Sequence, residues 1–187
     1  RLAQKFIQMF KQALPPGCGF HPDLQMRAGS EQDIIALDRD NTLRYFNESG
    51  RTWERQAMVK ARPVAGDQQL GAEFVESTRP WVYRRYLTPT DIGGIKALKR
   101  RLVQRLQHGD ASQLQVRSGR GGIHDVEQVI QFLQLLNGGD IFPLRTTNTL
   151  EAIQQLHQAE CLTHEEASSL RDSYLSLRHM EHYLQIL

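Results

Sequence analysis

From residue 66 to the end, apolar residues recur at intervals of three and four, interrupted by short runs rich in Gly, Pro and Asn. Such spacing lays one apolar stripe along each of several helices, and a stripe is stable in water only when another element covers it. In DIGGIKALKRRLVQRLQ the stripe is Ile92, Ile95, Leu98, Leu102 and Leu106, with Thr90 expected to cap the helix. The next stripe, Ile123, Val126, Ile130 and Leu133, stops at Asn137-Gly138-Gly139. Leu150, Ile153 and Leu156 mark a further helix, and Thr163-His-Glu-Glu166 is a capping box for a last one stacked on Leu170, Tyr174, Leu177, Met180 and Leu184. Residues 66–187 therefore read as an antiparallel helical bundle.

The first 65 residues read differently. An amphipathic helix over 1–14 ends at PPGCG, FHPDLQMR alternates like a strand, and IIAL at 34–37 reads as another. Asp38 should cap a helix over about 39–49, closed by Gly50, and WERQAMVKAR at 53–62 is helical up to Pro63. A helix over 67–79 follows, with a second short one after Pro80. The predicted class is α+β, mostly α, divided into 1–65 and 66–187. Both ends run through helical pattern, which points to a piece of a larger protein.

Composition narrows the function classes. The formal net charge of +2 is too small to argue for nucleic acid. KALKRRLVQR carries five cations but no interleaved aromatics for stacking bases, so it reads as a solvated helix face. No apolar run reaches the length of a membrane span. Cys18 and Cys161 lie far apart without partner spacing, as in a reducing cytoplasm.

Few residues promise chemistry. Asp23 and Arg27 would share one side of a strand; a carboxylate beside a guanidinium suits Mg²⁺ and phosphate, and equally a plain surface ion pair. In AGSEQDII, Asp33 follows a Gly-Ser turn, but Ile35 holds the place of a second carboxylate, so no two-metal clamp forms there. Lys60 and Arg62 lie in a basic helical stretch and are candidates to reach phosphates. HMEH at 179–182 lacks the spacing of a zinc protease. GRGGIHDVEQVI at 119–130 opens a helix behind a glycine turn, with Arg117 and Arg120 adjacent. A helix start of that kind receives anions when its N–H groups are free, and packs as a plain turn when they are not.

Three motifs, GRTWERQAMVKARPVAGD, RPWVYRRYL and GRGGIHDVEQVIQ, stand in this order at 50–67, 79–87 and 119–131. Together they resemble the family of bifunctional glutamine synthetase adenylyltransferase/adenylyl-removing enzymes, and the resemblance covers essentially the whole chain. It implies two nucleotidyltransferase domains of the polymerase-beta type, each followed by a helical bundle. One half removes AMP from a tyrosine of glutamine synthetase by phosphorolysis, releasing ADP; the other attaches AMP from ATP. The final helices look more like the adenylyl-removing, N-terminal half.

The resemblance makes Asp23 the third metal-binding Asp, holding Mg²⁺. It makes Arg27, Lys60, Arg62, Arg117, Gly121 and Gly122 the nucleotide- and phosphate-binding positions. It brings in glutamine synthetase, and a PII signalling protein, as partners. The family's Gly-Ser turn and paired carboxylates lie upstream of the Asp23 strand and are absent here, so this piece alone is expected to be inactive. Gln25, Ala28 and Pro22 also depart from the family pattern. They leave one alternative, a degenerate module of the same fold that binds a nucleotide or partner without catalysis.

Overall fold

A computed structural model describes residues 4, 5, 7–9, 36–86, 88–108 and 116–186; within 88–108 the side chains of 102 and 105–108 are not described. The described chain falls into two compact units, 1–50 and 51–187. Every regular element among the described residues is helical. The expected strand at 20–27 lies outside them, and of IIAL only Ala36 and Leu37 lie within, in irregular backbone.

In the first unit, residues 4, 5 and 7–9 are helical, and helix α1 spans Arg39–Ser49. Its start follows from one side chain: Asp38 accepts the Asn41 N–H at 2.9 Å, satisfying a donor that the first turn leaves open. The Asn41 hydrogen bonds hold the Asp38 carboxyl below the usual carboxylate range. Gly50 ends the helix, donating to the Phe46 carbonyl at 3.2 Å, and Phe46 is buried.

The second unit begins with α2, Thr52–Met58. The helix stops earlier than the expected Arg62 because Val59, Lys60 and Ala61 bond back only three residues, to Gln56, Ala57 and Met58. That tightened turn precedes Pro63, which disfavours helical backbone before it. Helix α3 spans Gln68–Val82 and includes Pro80, where the sequence pattern had placed a break. A proline so near the end removes a single N–H···O bond, and buried Trp81, Val82 and Tyr83 hold the last turn in place.

Helix α4, Pro89–His108, is capped by Thr88 instead of Thr90. Thr88 donates its N–H and hydroxyl to Asp91 Oδ2 at 2.9 and 2.7 Å, and its own Oγ1 accepts the Asp91 N–H. Pro89 then sits at the first helical position, where no N–H is needed. Ile95 is buried as expected, but Ile92 faces outward.

Helix α5 spans Ile123–Asn137, α6 Thr149–Gln158 and α7 His164–Ile186. A 3-10 turn, Phe142–Leu144, links α5 toward α6. Asn148 caps α6 through Leu150 and Glu151. Thr163 and Glu166 form the expected box at the start of α7.

The main core joins Ile130, Leu144, Ala152, Ile153, Leu156, Leu162 and Ala167. A second cluster joins Ile123, Val126 and Tyr174. The stripe on α7 holds through Leu177 and then fails: Met180 and Leu184 are exposed. Gln134 ties α5 to the turn, its amide donating to the carbonyls of Leu144 and Thr146 at 2.6 and 2.9 Å. No helix among the described residues is long and apolar enough to cross a membrane.

Candidate functional site

The glycine turn before α5 closes on itself. The N–H groups of Gly122, Ile123 and His124 donate to the carbonyls of Gly119, Val116 and Arg117 at 2.9, 3.0 and 3.1 Å. Gly121 donates to Asp125 Oδ2 at 2.8 Å. These are the donors an anion at a helix start would take, and all four are engaged within the turn. Gly121 has φ of 73°, the left-handed region that glycine enters freely. A Cβ on Gly122 would lie 2.7 Å from the Val116 carbonyl oxygen. The glycines thus serve close backbone packing, and the groups an anion would meet here are the exposed side chains of Arg117 and Arg120.

Arg117 begins a ladder of alternating charge. Its guanidinium lies 3.8 Å from Glu181 on α7 and 3.4 Å from His124 on α5. Glu181 takes Arg178 at 2.6 Å. Arg178 in turn reaches Glu127 at 3.3 Å and donates from Nε to the Tyr174 hydroxyl at 3.1 Å. The Tyr174 hydroxyl donates to Glu127, also at 3.1 Å. Burial pulls the Arg178 proton affinity down, but the Tyr174 and Glu181 contacts outweigh it and push it up, so Arg178 is a permanent cation.

Lys60 reaches the start of α6. Its ammonium donates to the Thr147 carbonyl at 2.9 Å and to Thr149 Oγ1 at 2.5 Å. Burial lowers its pKa; Glu127 opposes the shift and Arg178 adds to it. Of the expected residues, Arg117 is thus bound into the α5–α7 charge network by direct contact, and Lys60 is tethered to Thr147 and Thr149 at the start of α6. Arg62 is exposed beyond the end of α2. Asp23 and Arg27 lie outside the described residues. Among the described residues no group of three or more His, Cys, Asp or Glu is placed to hold a metal.

A second polar cluster lies inside the bundle. Arg55 is 1% exposed and meets Asp91 at 2.8 Å. It also donates to the Val82 carbonyl from Nε and Nη2 at 3.3 and 2.9 Å. Arg84 takes the other oxygen of Asp91 at 2.9 Å. Burial depresses the Arg55 pKa against the pull of Asp91. This cluster fastens the WERQAMVKAR segment to the RPWVYRRYL segment and to the start of α4.

Glu127, Tyr174, Arg178 and Glu181 did not emerge from the sequence as site residues. Half of the signal was local: Tyr174–Arg178 and Arg178–Glu181 have helical spacing of four and three. The other half, the reach from Arg178 back to Glu127 across 51 residues, is set by how α5 packs on α7. In HMEH the structural contact belongs to Glu181, while His179 and His182 are exposed.

Two family models match the chain in tandem. One, described as glutamate-ammonia ligase adenylyltransferase, covers residues 1–77; the other, described as GlnD PII-uridylyltransferase, covers residues 94–187. The chain is 35% identical over 187 residues to the bifunctional glutamine synthetase adenylyltransferase/adenylyl-removing enzyme of Hahella chejuensis, covering 99% of this chain and 19% of that protein. It is 35% identical to the enzyme of the same name from Stenotrophomonas maltophilia, covering 100% of this chain and 20% of that protein. For the Bartonella quintana enzyme the identity is 32% over 189 residues, again 19% of that protein. The chain thus spans about a fifth of the length of the curated relatives it matches.

Proposed function

We propose that this chain, which belongs to the family of bifunctional glutamine synthetase adenylyltransferase/adenylyl-removing enzymes, forms the end of one polymerase-beta-type nucleotidyltransferase domain and the helical bundle behind it. The parent protein adds AMP to a tyrosine of glutamine synthetase or removes it by phosphorolysis. The observation that carries this reading is the similarity to the curated relatives, which runs from end to end of the chain, with the adenylyltransferase family model matching residues 1–77.

In this reading Asp23 is a ligand to Mg²⁺, which when bound neutralises phosphate charge during transfer. Arg27, Arg62 and Arg117 supply guanidinium forks for phosphate oxygens. Lys60 holds the start of α6 in place, and Gly121 and Gly122 shape the turn that presents Arg117. Glutamine synthetase is the macromolecular substrate, ATP or ADP and phosphate are the small ones, and a PII signalling protein is a candidate regulator. The reading places the protein in the cytoplasm.

The test is Asp23→Ala in the full-length protein, assayed for AMP transfer and for phosphorolysis, with folding followed by thermal unfolding. Loss of one activity with an unchanged unfolding temperature is expected for removal of a metal ligand. Full retention of both activities would sink the metal role. It would also favour the second reading that Pro22, Gln25 and Ala28 raise, a non-catalytic module of the same fold.

A further inference from the structure

Helix α4 shows one positively charged face to solvent. At 3.6 residues per turn, Ile92, Lys96, Lys99, Arg100 and Val103 fall within an arc of about 100°. All five are exposed, Ile92 at 41% and Val103 at 39%, while Asp91 and Ile95 are buried. Asp91 is the one carboxylate of the helix, and it is taken by Arg55 and Arg84. Among the described residues no carboxylate pairs with Lys96, Lys99 or Arg100.

An ordinary solvated helix face gains from acids and bases set four apart. Here Lys96 has Lys99 and Arg100 three and four residues on, like charges at the spacing where they repel. The helix dipole does not account for them. It favours cations in the last turn only, and Arg100 stands two turns before His108. Gly93 borders the same face, exposed, with nothing within 4 Å of the place its Cβ would take. Its neighbour Gly94 is explained by packing against Thr52. An exposed glycine inside a helix costs stability relative to alanine. The face is therefore positive and flat although both features weaken the helix, which suits a surface that another molecule approaches closely.

The chemistry of the face selects the class of that molecule. Single-stranded nucleic acid is held by aromatic rings set among the cations, and this face has none. A bilayer takes up a broad apolar helix face, and Ile92 and Val103, each partly exposed, are too little. A permanent interface inside a larger protein is more apolar than this. Cations around a small apolar strip fit a transient protein partner that presents carboxylates, because such charges speed and orient the encounter. A protein substrate, released after each turnover, is a partner of that kind.

We propose that the face of α4 from Ile92 to Val103 docks a carboxylate-rich surface of the enzyme's protein substrate, with Lys96, Lys99 and Arg100 opposite its acids and Ile92 and Val103 against apolar side chains between them. That the substrate is glutamine synthetase rests on the reading above.

The experiment follows AMP transfer and phosphorolysis by the full-length protein as the glutamine synthetase concentration is varied, in low salt and again where salt screens exposed charges, at about 0.2 M. In the parent, KM for glutamine synthetase should rise with salt. Lys96→Glu/Lys99→Glu/Arg100→Glu should raise that KM by about tenfold or more at low salt, within the usual range of electrostatic steering. It should lose most of the salt dependence and leave kcat and the KM of the small substrates unchanged. Gly93→Leu should also raise KM for glutamine synthetase while keeping or raising the unfolding temperature, since leucine is the better helix former. A purely structural face would not separate those two readouts.

Parental KM with parental salt dependence in the triple variant would overturn the proposal. So would binding of an RNA strand or of phosphatidylserine vesicles that the triple variant abolishes while KM for glutamine synthetase stays parental. If the triple variant does not fold, Lys99→Gln and Gly93→Leu carry the test, and parental KM in both overturns it. A parent without activity toward glutamine synthetase would sink the reading above and this docking face with it; an active parent whose KM ignores these changes sinks the docking face alone.

Discussion

Arg55 and Asp91, 36 residues apart, form an ion pair of 2.8 Å whose side chains are 2% and 8% exposed. A charge so deeply buried is tolerated only when its remaining hydrogen-bonding groups are also met. They are: Arg55 spends two further N–H groups on the Val82 carbonyl, and Asp91 receives Arg84 and Thr88. The pair decides how α2, the end of α3 and the start of α4 fit together.

Removing one partner leaves the other charge buried and alone. Asp91→Ala should therefore destabilise the protein by about 3 kcal/mol or more. The double variant Arg55→Met/Asp91→Leu should lose clearly less than the sum of the two single changes. Urea unfolding of the three variants checks this, and strictly additive losses would argue against a coupled pair.

The same site sets an acid dependence. Burial raises the Asp91 pKa, but the hydrogen bonds from Thr88 and Arg84 and the charge of Arg55 outweigh it, so the carboxyl titrates below its ordinary 3.8. A depressed folded-state pKa adds stability above the unfolded value, and that stability is lost as pH falls through the folded one. The contribution should be complete at neutral pH and decline from about pH 5 downward. Asp91→Asn should be less stable at pH 7 and show a shallower acid decline. A decline as steep as the parent's, followed by urea midpoints from pH 7 to pH 3, would assign the acid sensitivity to other groups.

The glycine turn before α5 offers a graded comparison. Gly122→Ala places a Cβ against three backbone oxygens, of Val116, Gly119 and Arg117, none of which belongs to a flexible side chain. Overpacking of this kind costs about 1–3 kcal/mol. Gly121→Ala meets nothing within 4 Å and suffers only from its positive φ, a cost of about 1–2 kcal/mol. Thermal unfolding should rank Gly122→Ala as the more damaging change, and the reverse order would mean that the turn relaxes.

Lys60 and Arg62 come from the same basic stretch yet should behave differently. Lys60→Met breaks two hydrogen bonds from an ammonium to Thr147 and Thr149, and bonds to charged donors contribute about 1.5–3 kcal/mol each at most. A loss of about 1 kcal/mol or more is expected, with the start of α6 loosened in amide hydrogen exchange. Arg62→Ala, exposed, should leave stability within about 0.5 kcal/mol and alter only nucleotide-dependent rates. Equal destabilisation by the two would remove the distinction between tether and surface cation.

What the sequence determined by itself was local. Asp38, Thr163 with Glu166, and the Asn137-Gly138-Gly139 stop each act within three or four residues, and α1, α5 and α7 begin or end where those residues put them. The same short reach misled at α4: the pattern puts the cap at Thr90, and Asp91 turning back on Thr88 moves it two residues earlier. Pro80 reads as a break until burial of Trp81 and Val82 outweighs one lost hydrogen bond. The family was legible because three ordered motifs carry it, and the comparisons bear that out along the full chain.

The tertiary structure alone decided which polar residues meet. Lys60 finds Thr149 across 89 residues, Tyr174 finds Glu127 across 47, and Arg55 finds Asp91 across 36. Such partners are chosen by how helices pack, and packing depends on the summed burial of many apolar side chains, with no single spacing to announce it. For the same reason Met180 and Leu184, written as core in the pattern of α7, lie exposed: periodicity puts residues on one face, and only neighbouring helices determine how far along that face the cover extends.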